Sequence, residues 1–247
     1  MIPIKSEQEI GQIRKAGKVL VGIVDKIKEN TKPGITTAQL NNLAEDLILK
    51  AGGEPAFKGY RGFPSSACIS VNEEIVHGIP GNRILKNGEI VSVDLGIRLD
   101  GYFADVAFTL TLGNVNGRLK KLVDVTKKAL DIGISKARVG NRLSDISHSI
   151  QSFVESNGFS VVRDFVGHGI GKELHEDPEV PNFGQSKLGP ELKPGMVLAI
   201  EPMVNIGTWE SEILQDGWTA VTKDRLPSAH FEHTVAITEN GPQVLTR

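Results

Sequence analysis

Near the start of the chain, apolar residues recur every three or four positions. Ile10, Ile13, Gly17, Leu20, Val21, Val24 and Ile27 fall on one face and predict an opening helix of about six turns. A second helix is predicted from Thr36, where Gln39, three residues on, completes a capping box. Its apolar face is Leu40, Leu43, Ala44, Leu47 and Ile48, and Gly52-Gly53 stops it. The period then drops to two, predicting strands over residues 65–71, 89–97 and 102–112. After these the pattern restarts. Leu119, Leu122, Val123, Thr126, Ala129 and Leu130 mark a third helix; Ile146, Ile150, Phe153 and Val154 mark a fourth, stopped at Asn157-Gly158. Strands follow over 159–163, 196–204, 217–222 and 231–238, and an Asn240-Gly241 turn leads into 242–245. Two helices and then strands, twice over, predict an α+β fold with sheet packed on helices. The chain reads as one domain, 1–247, made of two related halves of about 1–115 and 116–247.

Composition narrows the function classes. With 28 Lys+Arg against 30 Asp+Glu the net charge is −2, which gives no electrostatic reason to expect nucleic acid or an anionic membrane as partner. Apolar residues, 39% of the chain, are spread along its whole length, which excludes disorder. The one cysteine, Cys68, can form neither an intrachain disulfide nor a four-Cys zinc site, and suits a reducing compartment. The opening MIPIKSEQEI has no signal core and the apolar run 19–24 is too short to span a bilayer. A cytoplasmic, soluble protein is expected.

The chemistry starts from polar residues where a strand does not ask for them. In 90–97, Val91, Val93, Leu95 and Ile97 share one face, and Ser92, Asp94 and Gly96 share the other. If Asp100-Gly101 is a two-residue hairpin turn, Leu99 pairs with Tyr102 and Asp94 with Ala107. Asp105 is then the diagonal neighbour of Asp94 on the same face, about 7–8 Å away. Alone, such a pair reads as two solvated edge carboxylates. Three further residues change that reading: His168 in GHGIG, Glu201 interrupting an apolar run before Pro202, and Glu232 opening a strand. Two Asp, two Glu and one His make an oxygen-rich set suited to Mn, Fe, Co or Zn. Four carboxylates are too many for one ion and suit a carboxylate-bridged pair, the arrangement of metal-assisted hydrolysis. The competing motifs fail: GHGIG has its third glycine too early for a dinucleotide fingerprint, and no H-E-x-x-H, G-x-S-x-G or P-loop occurs.

Asp94, Asp105, His168, Glu201 and Glu232, in that order, resemble the ligand set of the type I methionine aminopeptidases. The similarity extends through ACISVNEEIVHGIP (67–80), VDLGIRLDGYFADVAFT (93–109), KPGMVLAIEPMV (193–204), DGWTAVTKD (216–224) and FEHT, nearly the whole chain. The length and the lack of a Cys-rich extension resemble the bacterial form. The resemblance implies the pita-bread (creatinase/aminopeptidase) fold, two pseudo-symmetric halves with a curved antiparallel sheet flanked by helices. It implies removal of an N-terminal methionine, when the next residue is small, by a water activated at two divalent ions (Co, Mn, Fe, Zn or Ni). Asp94 would chelate one ion, Asp105 and Glu232 would bridge, and His168 and Glu201 would complete the other, with Glu201 also shuttling the proton. His77 and His175, which as bare residues read as loop or surface histidines, match two non-ligand histidines that contact the peptide. Tyr60, Phe63, Cys68 and Trp218 match the methionine pocket, although each alone reads as core packing. Asn72 and Ser228 match a monovalent-cation site.

The implied partners are nascent polypeptide N-termini and, transiently, the ribosome, with no nucleic acid and no membrane, and the protein is expected to be a monomer. Two positions and one segment depart from the family pattern. Leu174 stands where many relatives carry Phe, and His230 where relatives usually have Gln. TWESEILQDG (208–217) is acidic where some bacterial relatives dock on ribosomes through basic residues. Two rival readings are an Xaa-Pro peptidase of the same fold, for which 247 residues leave no room for the usual extra domain, and a non-catalytic binding protein of that fold. The second would be expected to lose ligands, and all five stand.

Overall fold

In the computed structural model, which describes residues 1–247, Ser6 and Thr36 each begin a helix with a reciprocal capping box, to Glu9 and Gln39. The helices are α1 (Glu7–Asn30), α2 (Thr37–Lys50), α3 (Gly117–Lys136) and α4 (Leu143–Ser156), all where the periodicity put them. Ile13, Leu20 and Ile27 on α1 and Leu40 and Ile48 on α2 are fully buried. Gly17 is required on α1 because a Cβ there would lie 2.2 Å from the Leu245 carbonyl oxygen of the C-terminal segment.

The strands of the first half are β1 (Glu54–Pro55), β2 (Ala67–Val71), β3 (Glu74–Val76), β4 (Ile90–Leu99) and β5 (Tyr102–Thr111). Those of the second are β6 (Ser160–Val161), β7 (Gly167–Gly169), β8 (Glu176–Val180), β9 (Val197–Ile200), β10 (Met203–Asn205), β11 (Ser211–Ile213), β12 (Ala220–Thr222), β13 (Ser228–His230), β14 (His233–Thr238) and β15 (Gly241–Val244). Every pairing is antiparallel. β4 carries β2 and β1 along one edge and β5 along the other, and a five-stranded sheet runs β15-β14-β9-β7-β8. Two three-stranded sheets, β13-β10-β6 and β11-β12-β3, complete the architecture. The main apolar core lies between the four helices and the sheets; a second cluster, including Phe57, Phe63, Cys68, Ile170 and Leu174, lies apart from it. No helix is long and apolar enough to cross a membrane.

Three local expectations are corrected. The run 196–204 is not one strand: it breaks at Glu201-Pro202, and β9 and β10 join different sheets. Pro202 has no N–H to continue a ladder, and its carbonyl instead accepts from Phe231 N at 3.3 Å. The run 231–238 starts late, so Glu232 sits in the gap between β13 and β14. His168, which reads as a loop histidine between glycines, lies in β7 inside the five-stranded sheet. Its glycines are there because β8 and β9 press in: a Cβ at Gly167 would meet Ala199 O at 2.3 Å, and one at Gly169 would meet Asp177 O at 2.1 Å.

Candidate metal centre and pocket

The β4–β5 hairpin has the register that its turn dictates. Asp100 and Gly101 both take positive φ, 50° and 83°, as a twisted two-residue turn requires. Leu99 pairs with Tyr102, Asp94 with Ala107 and Gly96 with Asp105, so the two aspartates share one face as diagonal neighbours. The Asp94 carboxylate, close by on that face, acts on Asp105 electrostatically and, after burial, raises its pKa. The opposite face, Val91, Val93, Leu95 and Ile97, is buried in the main core, so the pair's orientation is locked by apolar packing behind it.

The second half delivers its candidates from a strand and two strand gaps. Ligating atoms of Asp105, His168 and Glu232 lie within 4.8 Å of one another, and Glu201 Oε1 is 3.6 Å from His168 Nε2. Asp94, Asp105, His168, Glu201 and Glu232 thus line one cavity of about 210 Å³. The halves are fastened beside it by two threonines. Thr109 Oγ1 accepts from His230 N at 2.9 Å and donates to His230 O at 2.8 Å; Thr234 Oγ1 accepts from Asp105 N at 3.0 Å and donates to Asp105 O at 2.9 Å. Between them Glu232 N donates to Ala107 O at 2.9 Å. Because Thr109 spends its only proton on His230 O, its 2.8 Å contact with Ser92 Oγ must be donated by the serine. These two threonines escaped sequence reading, since a lone Thr in a strand carries no signal of its own.

Burial sets the electrostatics. It pushes Asp94 up to about 7 and Glu201 up to about 8 in the protein without cations. Asp105 and Glu232 are also raised well above the usual carboxylate range, by burial first and then by the neighbouring carboxylates. Burial holds His168 down at about 4, so its imidazole is neutral and available as a ligand. Asp94 Oδ1 and Glu232 Oε1 are buried with no hydrogen-bond donor at all. Buried carboxylate oxygens without donors, beside a neutral imidazole, fit divalent cations of the borderline class and would be costly without them. His230, 1% exposed, brings Nε2 to 3.4 Å from Glu201 Oε2 without a formed hydrogen bond.

The other candidates line the same cavity. His77 stands edge-on to Phe165, with ring centroids 5.4 Å apart, and His175 edge-on to His168 at 4.2 Å. His175 Nδ1 meets the Tyr60 hydroxyl at 2.9 Å. Burial holds His77 down at about 4, and burial first, then the neighbouring His168, lowers His175 to about 3. Phe63 and Trp218 meet edge to face at 5.2 Å, and Cys68, directly opposite Asp94 in the sheet, adds a buried thiol whose pKa is pushed up by burial and the neighbouring carboxylates. Leu174, buried, completes this apolar wall with Phe57, Val76 and Met203. Asn72 and Ser228 are brought together outside the cavity: Ser228 N donates to Asn72 O at 2.8 Å, while Asn72 Oδ1 accepts from Ile90 N at 3.1 Å.

Comparison with known proteins is consistent along the whole length. Residues 11–239 match metallopeptidase family M24. The chain is 55% identical to the methionine aminopeptidase of Clostridium perfringens over 246 residues, covering 100% of this chain and 99% of that one. It is 53% identical to methionine aminopeptidase 1 of Bacillus subtilis, covering both completely. Among solved structures, methionine aminopeptidase from Rickettsia prowazekii superposes with a TM-score of 0.98 at 40% identity, each chain fully covered. A prolidase from Pyrococcus horikoshii superposes at 0.80 with 24% identity, covering 99% of this chain and 63% of that one, and agrees in fold.

Proposed function

The chain belongs to metallopeptidase family M24, as a type I methionine aminopeptidase, and we propose the following division of labour among its residues in removing an N-terminal methionine that precedes a small residue. The observation that carries the reading is the convergence of four carboxylates and one imidazole on a cavity whose other wall is apolar and aromatic. Asp94, Asp105, His168, Glu201 and Glu232 would together hold two divalent ions. The chemistry such ions supply when bound is polarisation of the scissile carbonyl and acidification of a water. Co, Mn, Fe, Zn and Ni all suit the donor set, and availability decides among them.

Glu201 takes the proton of the attacking water on a carboxylate oxygen and hands it to the leaving amine. Its carboxylate lines the cavity within reach of a water held there, the geometry a general base needs. His77 and His175, both lowered in pKa, are neutral at pH 7 and serve as uncharged hydrogen-bond partners of the peptide. The Tyr60 hydroxyl, 2.9 Å from His175 Nδ1, fixes the orientation of that ring. Tyr60, Phe63, Cys68 and Trp218 receive the methionine side chain, whose sulfur gains from aromatic edges. A monovalent cation beside Asn72 and Ser228 is supported by the buried, donor-less Asn205 Oδ1 on the residue that pairs with Ser228.

The substrates are nascent polypeptide N-termini, met in the cytoplasm by a monomer, residues 1–247 acting as one catalytic unit that visits the ribosome transiently. Stripping the protein of metal and restoring Met-Ala-Ser hydrolysis one divalent ion at a time tests the core of this reading. Restoration by at least one ion, with no cleavage of Ala-Pro-Ala, is expected; full activity in chelator, or a preference for the Xaa-Pro peptide, overturns it.

A further inference from the structure

Lys5, in the segment ahead of α1, lies far in sequence from the pocket, yet its ammonium is buried against Glu176, the residue after the pocket's His175. Its Nζ is 2.5 Å from Glu176 Oε2, with the two side chains only 6% and 9% exposed. No other Lys or Arg ion pair of the chain has both partners so enclosed. The other carboxylate oxygen, Glu176 Oε1, accepts from Lys172 N at 2.7 Å and Glu173 N at 3.2 Å, closing the loop 171–176 on itself. His175 is the next residue back along that loop. Room for the pair is built in at both ends. A Cβ on Gly171 would lie 2.7 Å from Lys5 Cε and 2.9 Å from Glu176 Oε1, and Lys5 N is held by Gly195 O at 2.7 Å.

We propose that Lys5 and Glu176 are positioning residues: the buried ammonium keeps the Glu176 carboxylate inside, where it folds the loop that presents His175 to the substrate. A buried carboxylate that loses its cation is strongly disfavoured and relieves itself by turning out to water. Here that movement would release both loop amides and with them the backbone on either side of His175. The segment before α1 is thereby part of the active-site apparatus, and not only a lead-in to a helix.

The inference rests on the reading of His175 as a substrate contact, and His175→Ala is therefore measured alongside. If that variant keeps full turnover, the His175 reading fails; if it loses turnover, the pair is tested on its own. Lys5→Met is expected to lower kcat on Met-Ala-Ser by about tenfold to a hundredfold, the loss that a misplacement of about 1 Å produces. KM should stay within about twofold and metal content should be unchanged, while the Lys172 and Glu173 amides exchange hydrogen faster. The neutral double variant Lys5→Met/Glu176→Gln buries no charge and keeps an acceptor for both amides, so most of the lost kcat should return. Replacing Gln by Leu in that double variant removes the acceptor and should abolish the recovery, a comparison that survives even if Lys5→Met alone does not fold. The proposal is overturned by a folded Lys5→Met protein with undiminished kcat well below its melting temperature. Equal kcat in the Gln and Leu double variants overturns it too.

Discussion

The two halves of the molecule deliver their candidate metal ligands by different means. The first half uses one unbroken hairpin: Asp94 and Asp105 sit on adjacent strands, ten paired residues long, with a sealed apolar face behind them. The second half uses interruptions: Glu201 lies in the two-residue gap between β9 and β10, Glu232 in the gap between β13 and β14, and His168 in a three-residue strand between close-packed neighbours. A regular ladder fixes the spacing of two groups but aims both the same way. Gaps release side chains from the pleat, so groups from different sheets can turn toward the aspartates. A centre needing ligands from several directions therefore requires both.

The largest effect should come from the second half's interruption. Glu201→Gln keeps the size and the gap but removes the carboxylate, and kcat on Met-Ala-Ser should fall by about 10²–10⁴, the scale of general acid–base catalysis. Because the gap is set by Pro202 and not by the carboxylate, the variant should remain folded, with an unchanged far-UV circular dichroism spectrum. Near-normal cleavage by a folded Glu201→Gln protein would remove Glu201 from the proton path.

A second experiment addresses what the halves share, the crowding of buried acids. In the metal-free protein Asp94 titrates near 7 and Glu201 near 8, while in the unfolded chain both titrate at about 4. The folded state therefore holds protons that unfolding releases. The stability this contributes is complete below about pH 4 and is lost as pH rises through 7 and 8. His77 and His168, lowered to about 4, act in the opposite sense, but only below the ordinary histidine value of about 6.5. Between pH 6.5 and 8.5 the carboxylates govern. Calorimetry should show the metal-free melting temperature falling across that interval, at about 1.4 kcal/mol per titrating proton per pH unit. Saturating divalent metal should flatten the curve. A metal-free protein equally stable at both ends would mean that the acids are not confined together.

The same contrast explains what could be read from the sequence. The four helices and the Asp94–Asp105 geometry follow from local rules: helical period, capping boxes, and a turn whose two positive-φ residues fix a register. Glu201, Glu232 and His168 obey no such rule. Their positions depend on where strands from separate sheets stop, and the long apolar run through Glu201 reads as one strand because Ile200 and Met203 are equally buried in two different sheets. They stand out as polar residues interrupting glycine-rich or apolar runs, and resemblance to a family then supplies the individual roles that periodicity cannot. The short strands β3, β8, β11 and β13 were unreadable for a related reason: segments of three to five residues take their conformation from partners far along the chain. Lys5 and Glu176 were invisible because an ion pair 171 residues apart in sequence leaves no pattern.

The finest test lies where the halves touch. Thr109 and Thr234 perform the same act, each hydroxyl closing on both the N–H and the C=O of one residue across the seam. What they hold differs: Thr234 grips the backbone of Asp105, a ligand candidate shared between the halves, and Thr109 grips His230, two residues short of Glu232. Valine in place of either threonine keeps the shape and leaves a buried N–H and C=O unpaired, at a cost of about 1–3 kcal/mol. Both variants should therefore melt earlier, Thr109→Val by somewhat more because the buried Ser92 hydroxyl also loses its acceptor. Divalent-ion affinity, measured by calorimetric titration, should separate them. Thr234→Val loosens the strand at Asp105 itself and should weaken binding by about tenfold, the lower end of the effect of removing a ligand's support. Thr109→Val acts two residues from Glu232, whose own N–H stays bonded to Ala107 O, and should change affinity by less than about threefold. Equal losses in the two variants would mean that the seam moves as a rigid unit, and that the hairpin does not set the ligand spacing independently of its partner.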